Sequence, residues 1–195
     1  MTDAVTMARA AIDAVHRRDP EVHDGIPDEL AYADAVEAWL LRLHPAADPV
    51  LRLAARAQHL ERWSLPRTSY PADRAGYLRW RTEQYRRQGA LAARLCREAG
   101  IAEADALRVE ALVAKARLRE VDGQAIEDAA CLVFLDRELA GFAAGHPDYD
   151  AARYVAILAK TLRKMSPAAR DVALGLPLPE AFAALLRSAA ATLRT

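Results

Sequence analysis

Apolar residues recur along the chain with the periodicity of α helices. Apolar residues recur at intervals of three and four, as in the stripe formed by Tyr32, Val36, Trp39, Leu40 and Leu43. Aspartate followed by proline, as in Asp48-Pro49, favours a helix start. The Asp side chain caps the first turn, and proline is well suited to the first position of a helix. The pattern therefore predicts an all-α protein.

The same signals predict a single compact domain over residues 1–195 with about eight helices. The predicted segments are about 3–18, 28–44, 49–63, 73–98, 102–117, 124–143 and 148–164, with short ones after Ser166-Pro167 and Pro179. The segment at about 124–143 is apolar on nearly every side between Ala129 and Leu135. Such a helix is normally buried at the centre of a fold.

Composition supports helices and narrows the function. Hydrophobic residues make up 53% and aromatic residues 6%, with strand-favouring residues sparse. Lys+Arg and Asp+Glu both number 27, and this balance argues against a general nucleic-acid binder, which would need a positive excess. No apolar run resembles a signal peptide or a membrane span, which predicts a cytoplasmic protein with no membrane partner. Cys96 and Cys131 stand outside any CxxC pair and are predicted to be buried free thiols.

The segment from His59 to Arg81 concentrates residues suited to an anionic ligand. Guanidinium groups bind phosphates and carboxylates through paired hydrogen bonds and stack on aromatic rings. The sequence therefore predicts a phosphate- or nucleotide-like small-molecule site. Its predicted ligand-binding residues are Tyr32, Arg62, Trp63, Arg67, Tyr70, Arg74, Tyr77, Trp80, Arg81 and Lys115. The alternative is a structural loop whose arginines pair with Asp73, Glu61 and Glu83.

The predicted polar centre of this site consists of His59 and Asp128, and the candidate catalytic set adds Glu61 to these two. His59 suits general acid/base chemistry, because the ordinary pKa of histidine lies near neutrality. Asp128 shares an apolar helix face, where an unpaired carboxylate would be costly, so it needs an Arg, a His or a metal. We expect Asp128 to orient His59. The alternatives for Asp128 are a buried Asp–Arg pair and a position in the first helical turn.

Four strings of the sequence resemble the domain of unknown function 4202 family. They are ELAYADAVEAWLLRL, LRLAARAQHLERWSLPRTSYPADRAGYLRWRT, IEDAACLVFLDREL and KTLRKMSP. The resemblance covers essentially Val5 to Ala189, and the second string is highly specific. It implies a family but no activity.

The order of elements also resembles, more distantly, the HD-domain metal-dependent hydrolases. This resemblance implies an HD-like core around the helix at about 124–143. It places that group's first histidine at Tyr32, its His-Asp pair at His59-Leu60, and its late aspartate at Asp128. Two of the four metal ligands are thus present, which implies a divalent metal held by His59 and Asp128. The missing ligands argue that the metal chemistry was lost or rebuilt.

Three functions stay open at this stage. The first is an anionic small-molecule site in an HD-like helical domain, with or without catalysis. The second is a metal-dependent phosphohydrolase. The third is a non-enzymatic module that contacts RNA or a protein through the same arginines. If the protein is an enzyme, a hydrolase with His59 as acid/base or metal ligand is expected.

Overall fold

The computed structural model describes residues 2–193, and these residues confirm the all-α prediction. The α helices among them are α1 (Thr2–His16), α2 (Asp28–Leu43), α3 (Pro49–Arg56), α4 (Arg74–Glu98), α5 (Glu103–Val113), α6 (Val121–Val133), α7 (Leu139–Ala144), α8 (Ala151–Lys164), α9 (Pro167–Leu174) and α10 (Glu180–Ala191). The link after α1 contains a short antiparallel pair, β1 (Val22–His23) and β2 (Ile26–Pro27), with Val22 opposite Pro27. The hydrophobic pattern had indicated only a polar link there.

The chain divides into two compact units, the first ending at Gly123 and the second beginning at Gln124. In the first unit, α4 packs along α5 and against α1, while α3 contacts α1, α2 and α5. In the second unit, α10 packs against α8 and α9. A single domain with an HD-like core stays a prediction.

A buried arginine joins the first three helices. Arg56, at the end of α3, is 3% exposed. Its Nη1 lies 2.8 Å from Oδ1 of Asp34 and 3.0 Å from Oε2 of Glu37, and its Nε donates to Asp13. Burying a guanidinium is costly unless carboxylates compensate it, and here α1 and α2 supply them. The network fixes the end of α3 and so the start of the turn that follows.

The third helix is shorter than predicted, because the backbone turns left-handed after it. The prediction to residue 63 was wrong: α3 ends at Arg56. His59 has φ of 65° and Glu61 has φ of 51°, values that side-chain-bearing residues rarely adopt. A short 3-10 helix, Arg62–Ser64, follows. In the same way α5 ends at Val113, with Lys115 at φ 59°, and not near residue 117.

The predicted central helix is interrupted. It consists of α6, a π-helical turn (Phe134–Glu138) and α7. The wider turn leaves Leu135 and Leu139 buried while residues 136–138 are exposed. The predicted burial is confirmed for Ala129 and Leu132, both 0% exposed. The predicted helix over about 124–143 is therefore helical throughout, but a π-helical turn interrupts its α geometry.

Both cysteines are free and buried, as predicted. Burial raises the pKa of the Cys96 thiol to about 11, which disfavours the reactive thiolate at neutral pH. None of the helices within residues 2–193 combines the length and the apolar character that a bilayer crossing requires. Cytoplasmic location stays a prediction.

Candidate functional site

The His59 ring lies against Tyr32. The two ring centroids are 4.1 Å apart and the planes differ by 8°, which is a stacked arrangement. Tyr32 belongs to α2, whereas His59 lies in the left-handed turn after α3. The fold therefore brings together two residues that the sequence had assigned to one site.

Two hydrogen bonds determine which ring nitrogen of neutral His59 carries the proton. Its Nδ1 lies 3.1 Å from Oε2 of Glu29, and its Nε2 lies 3.1 Å from Nη1 of Arg62. A guanidinium can only donate, so Nε2 must accept. The proton of the neutral imidazole is therefore on Nδ1, from which it is donated to the Glu29 carboxylate.

Glu29 was missed by the sequence analysis. It stands three positions before Tyr32 on α2, so both side chains lie on one helix face. Its side chain is 14% exposed. Burial raises the pKa of Glu29 to about 7, although the positive charge of Arg62 opposes that rise. Its carboxyl group therefore titrates near neutral pH.

The start of α2, and with it Glu29, is held by Asp19. This aspartate is 6% exposed. Its Oδ2 accepts from the Glu29 backbone N–H at 2.9 Å, and its Oδ1 accepts from the Glu21 N–H at 3.1 Å. A side-chain cap at a helix start satisfies donors that have no partner within the helix. Asp19 therefore positions Glu29 from the preceding link.

His59 is a weak base in this setting. Burial lowers its pKa well below the ordinary value, and the positive charges of Arg62 and Lys115 lower it further. Protonation of Nε2 would place a second N–H against the guanidinium of Arg62. The pair at the centre of the site is therefore a neutral imidazole beside a carboxyl group that exchanges its proton near pH 7.

A second histidine, His16, interacts electrostatically with Glu29. His16 is 0% exposed, and its Nε2 lies 2.9 Å from the Arg56 carbonyl oxygen, to which it donates. Its Nδ1 has no hydrogen-bond partner within the described part of the chain. Burial lowers the pKa of His16. The sequence offered no signal for it, because a histidine at the end of an amphipathic helix is commonplace.

Backbone strain is concentrated at this site. Of the side-chain-bearing residues with positive φ within residues 2–193, three are His59, Glu61 and Lys115, and the fourth is Asp24 in the β1–β2 turn. Such conformations cost free energy, and in proteins they cluster at active sites and ligand-binding sites. The Glu61 carbonyl accepts from both the N–H and the hydroxyl of Ser64, at 2.9 and 2.8 Å, and these bonds hold the turn.

Arg62 connects His59 to Trp80. Its guanidinium carbon lies 5.3 Å from the centroid of the Trp80 ring, and its backbone carbonyl accepts from Nε2 of Gln84 at 2.8 Å. The indole N–H of Trp80 donates to the Leu65 carbonyl at 2.8 Å. No carboxylate lies within ion-pair distance of Arg62 among residues 2–193. Arg62, predicted from sequence, thus contacts His59 directly, and the likewise predicted Trp80 contacts Arg62.

Arg67 closes the loop before α4. Its guanidinium donates to the backbone carbonyls of Tyr70 at 2.9 Å, Pro71 at 2.6 Å and Asp73 at 3.3 Å. It makes no ion pair with Asp73, Glu61 or Glu83 in the described residues, so that alternative was wrong for Arg67. These contacts commit Arg67 to the shape of the loop.

The remaining predicted residues lie along the loop and α4. Arg81 donates to the Tyr85 hydroxyl at 2.5 Å and to the Tyr77 hydroxyl at 3.4 Å. Tyr77 is 41% exposed, and Arg74 is exposed at the first residue of α4. Trp63 and Tyr70 are half-buried. Their part in binding a ligand stays a prediction, as does contact with RNA or a protein.

Asp128 lies in the second unit, more than one turn beyond the start of α6 at Val121. The alternative of a first-turn position was therefore wrong. Asp128 is 2% exposed, and its Oδ1 accepts from Nε2 of Gln124 and from the Ser166 N–H, both at 2.8 Å. Ser166 caps α9, so Asp128 stabilises the start of that helix. Orientation of His59 by Asp128 stays a prediction.

A metal site is not preformed in the described chain. Within residues 2–193, no group of three or more His, Cys, Asp or Glu side chains is arranged to hold an ion. Both ring nitrogens of His59 already have partners. A metal on His59 and Asp128 stays a prediction.

The chain matches the model of a known family. The family model described as Domain of unknown function (DUF4202) matches residues 6–186. Comparison with the curated proteins finds no match. Comparison with the solved structures finds none either.

Proposed function

Because this chain belongs to the Domain of unknown function (DUF4202) family, whose description names no reaction, we propose a function from the geometry at His59. The protein binds an anionic, phosphorylated small molecule through Arg62. The pair formed by Glu29 and His59 then moves a proton at the bound ligand. The observation that carries this proposal is the chain of contacts from Glu29 through His59 to Arg62.

Arg62 is suited to receive the anion. Its guanidinium contacts a neutral imidazole nitrogen and an aromatic face. A hydrogen bond from a cation to a neutral acceptor is weaker than one to a phosphate oxygen, and a guanidinium can bind phosphate through two parallel bonds. A phosphate near the site therefore competes effectively with Nε2 of His59 for Arg62.

Release of Arg62 would change the chemistry of His59. Nε2 would lose its donor and become free to accept a proton from a water or a ligand hydroxyl. The pKa of His59 would rise, because one cause of its depression is the charge of Arg62. Glu29, on the opposite nitrogen, would stabilise the imidazolium that forms, as a carboxylate behind a catalytic histidine does. Binding and base activation would thus be one event.

The orientation of this pair is fixed before any ligand arrives. Tyr32 stacks on the imidazole, and the left-handed turn sets the direction in which His59 leaves the backbone. Trp80 is 9% exposed, and its ring supports the guanidinium of Arg62 from the protein interior. A phosphorylated ligand fits this combination best, with hydrolysis as the favoured reaction class.

Calorimetric titration with nucleoside monophosphates, sugar phosphates and inorganic phosphate tests the proposal. We expect saturable binding that Arg62→Gln weakens by at least about tenfold, which is about 1.4 kcal/mol. Arg79→Gln is the matched control, since Arg79 is an exposed arginine on α4. His59→Gln should retain binding and abolish turnover of the bound ligand. Binding that Arg62→Gln leaves unchanged would contradict the proposal.

The HD-like metallohydrolase is the second candidate. The observation in its favour is the stacking of Tyr32, the position of the first ligand in that resemblance, on His59. A metal ion at His59 would have to displace Arg62 or Glu29 from the ring nitrogens. Elemental analysis of the purified protein separates the two candidates. Stoichiometric metal that is lost in His59→Gln would favour the metallohydrolase.

A further inference from the structure

A separate cavity of about 300 Å³ lies between α1 and α3 in the first unit. We call it the Arg9–Arg52 cavity, after the two arginines in its wall. Its lining residues are Val5, Thr6, Arg9, Glu37, Pro49, Arg52 and Leu53. None of these residues contacts His59 in the described chain, so this cavity does not belong to the site proposed above.

A buried carboxylate holds the two arginines in place. Glu37 is 4% exposed and lies on α2. Nη1 of Arg9 donates to both of its oxygens, while Nε and Nη2 of Arg52 lie 3.2 Å from Oε1. The side chains of Arg9 and Arg52 are still 39% and 43% exposed. Each guanidinium is thus tethered on one side and accessible on the other.

The cavity wall carries an excess of positive charge. Two guanidinium groups, Arg9 and Arg52, face a single lining carboxylate, Glu37, which also contacts Arg56 at 3.0 Å; Arg56 does not line the cavity and is compensated by Asp13 and Asp34. Burial alone would raise the pKa of Glu37, but its three arginine partners hold the pKa below its ordinary value. Glu37 therefore stays ionised at neutral pH, and the lining groups sum to one positive charge. That charge matches a monoanion.

The other walls favour an apolar body of limited size. Val5, Pro49 and Leu53 line the cavity with hydrocarbon side chains. Ligand pockets usually have volumes of roughly 300 to 1,000 Å³, so this cavity is a small one. A carboxylate fits guanidinium geometry through paired hydrogen bonds, and tethered arginines lose little freedom when they bind it. A phosphate dianion would leave one negative charge uncompensated.

We propose that the Arg9–Arg52 cavity binds a compact monocarboxylic acid. The carboxylate bridges Arg9 and Arg52, and an aryl or branched-alkyl body lies against Val5, Pro49 and Leu53. The ligand would stabilise the packing of α1 on α3. This site is independent of anion binding at Arg62.

Calorimetric titration with benzoate, using benzamide as the neutral analogue of equal shape, tests the proposal. We expect saturable benzoate binding and at least about tenfold weaker binding of benzamide. Arg52→Gln should weaken benzoate binding by a similar factor. Val5→Phe should also weaken it, because the larger ring fills the cavity without touching the ion pairs. Arg86→Gln, at an exposed arginine paired with Glu83, should leave it unchanged.

Several outcomes would overturn the proposal. One is equal binding of benzoate and benzamide, and another is stronger binding of inorganic phosphate than of benzoate. Loss of binding in Arg62→Gln but not in Arg52→Gln would move the carboxylate to the His59 site instead. If Arg52→Gln does not fold, benzoate binding that is unaffected by Val5→Phe would still reject the cavity. Absence of any saturable benzoate binding would reject it as well.

Discussion

The imidazole of His59 lies face to face with the ring of Tyr32, their centroids 4.1 Å apart. The stack joins a residue of α2 to a backbone position with φ of 65°. A left-handed residue costs roughly 1–2 kcal/mol, and an aromatic pair contributes about 0.5–1.5 kcal/mol beyond its buried area. Tyr32 can therefore offset much of the strain that aims His59 at Arg62.

The stack should be visible in the proton spectrum of His59. A ring 4.1 Å away shifts the imidazole protons upfield. We expect this shift in the wild type and in Tyr32→Phe, which retains the ring, and its loss in Tyr32→Leu. Equal His59 proton shifts in all three proteins would contradict the stacked geometry.

Glu29→Gln should stabilise the protein in a pH-dependent way. The pKa of Glu29 is raised from 4.5 to about 7, so the folded chain keeps a proton that the unfolded chain has released. The contribution of Glu29 to the free energy of unfolding is fully present below pH 4.5 and is lost as the pH rises from 4.5 through 7. The free energy of unfolding of Glu29→Gln, minus that of the wild type, should therefore increase over this range by up to about 3 kcal/mol.

Urea unfolding at pH 5, 6, 7 and 8 measures that difference. Glu83→Gln is the control, because Glu83 is exposed and the hydrogen bond from Arg86 lowers its pKa. The free energy of unfolding of Glu83→Gln, minus that of the wild type, should stop changing above the ordinary pKa of glutamate and stay constant above pH 5. A flat profile for Glu29→Gln would contradict the burial of this carboxyl group.

Removal of Arg56 should strongly destabilise the first unit. Arg56→Met leaves the carboxylates of Asp13 and Glu37 without their buried cation. Breaking a buried ion pair from one side costs about 3–5 kcal/mol. Chemical denaturation should show that loss, whereas Arg86→Met, in an exposed pair, should change little. Similar stability of the two variants would refute the structural role of Arg56.

Gly76 should not tolerate a methyl group. A Cβ built there would lie 2.2 Å from the carbonyl oxygen of Pro71, a backbone atom that also accepts from Arg67. Gly76→Ala should therefore lower the melting temperature and displace the loop. Gly141→Ala is the matched control, since nothing lies within 4 Å of its Cβ and alanine favours a helix interior by about 1 kcal/mol. A melting temperature that Gly76→Ala leaves unchanged would contradict the close packing of the loop.

The helix starts could be predicted because their signals are local. Asp48 accepts from the N–H groups of Val50 and Leu51, and Asp73 accepts from that of Gly76, as the capping pattern indicates. The left-handed turn at His59 could not be predicted in this way. The residues around His59 continue a helical pattern, and the turn is stabilised by contacts with α2 that are distant in sequence.

The site could be predicted only in part, because only some of its residues stand out in the sequence. His59 and Arg62 stand out by residue type, Tyr32 was assigned to the site through the HD-domain resemblance, and the three do lie together. Glu29 is an ordinary acidic residue in the first turn of a helix, and only its spacing of three from Tyr32 signals a shared face. Asp128 stood out as a carboxylate on an apolar face, yet Gln124 and Ser166 satisfy it locally.

Nitrogen NMR of His59 across a pH titration tests the central claim most directly. The spectra would be recorded for the wild type and Arg62→Gln, each with and without adenosine 5′-monophosphate. We predict that wild-type His59 carries its proton on Nδ1 and has a depressed pKa, which rises on adding the nucleotide and rises without it in Arg62→Gln. A proton on Nε2, or a His59 pKa that neither the nucleotide nor Arg62→Gln changes, would contradict the account.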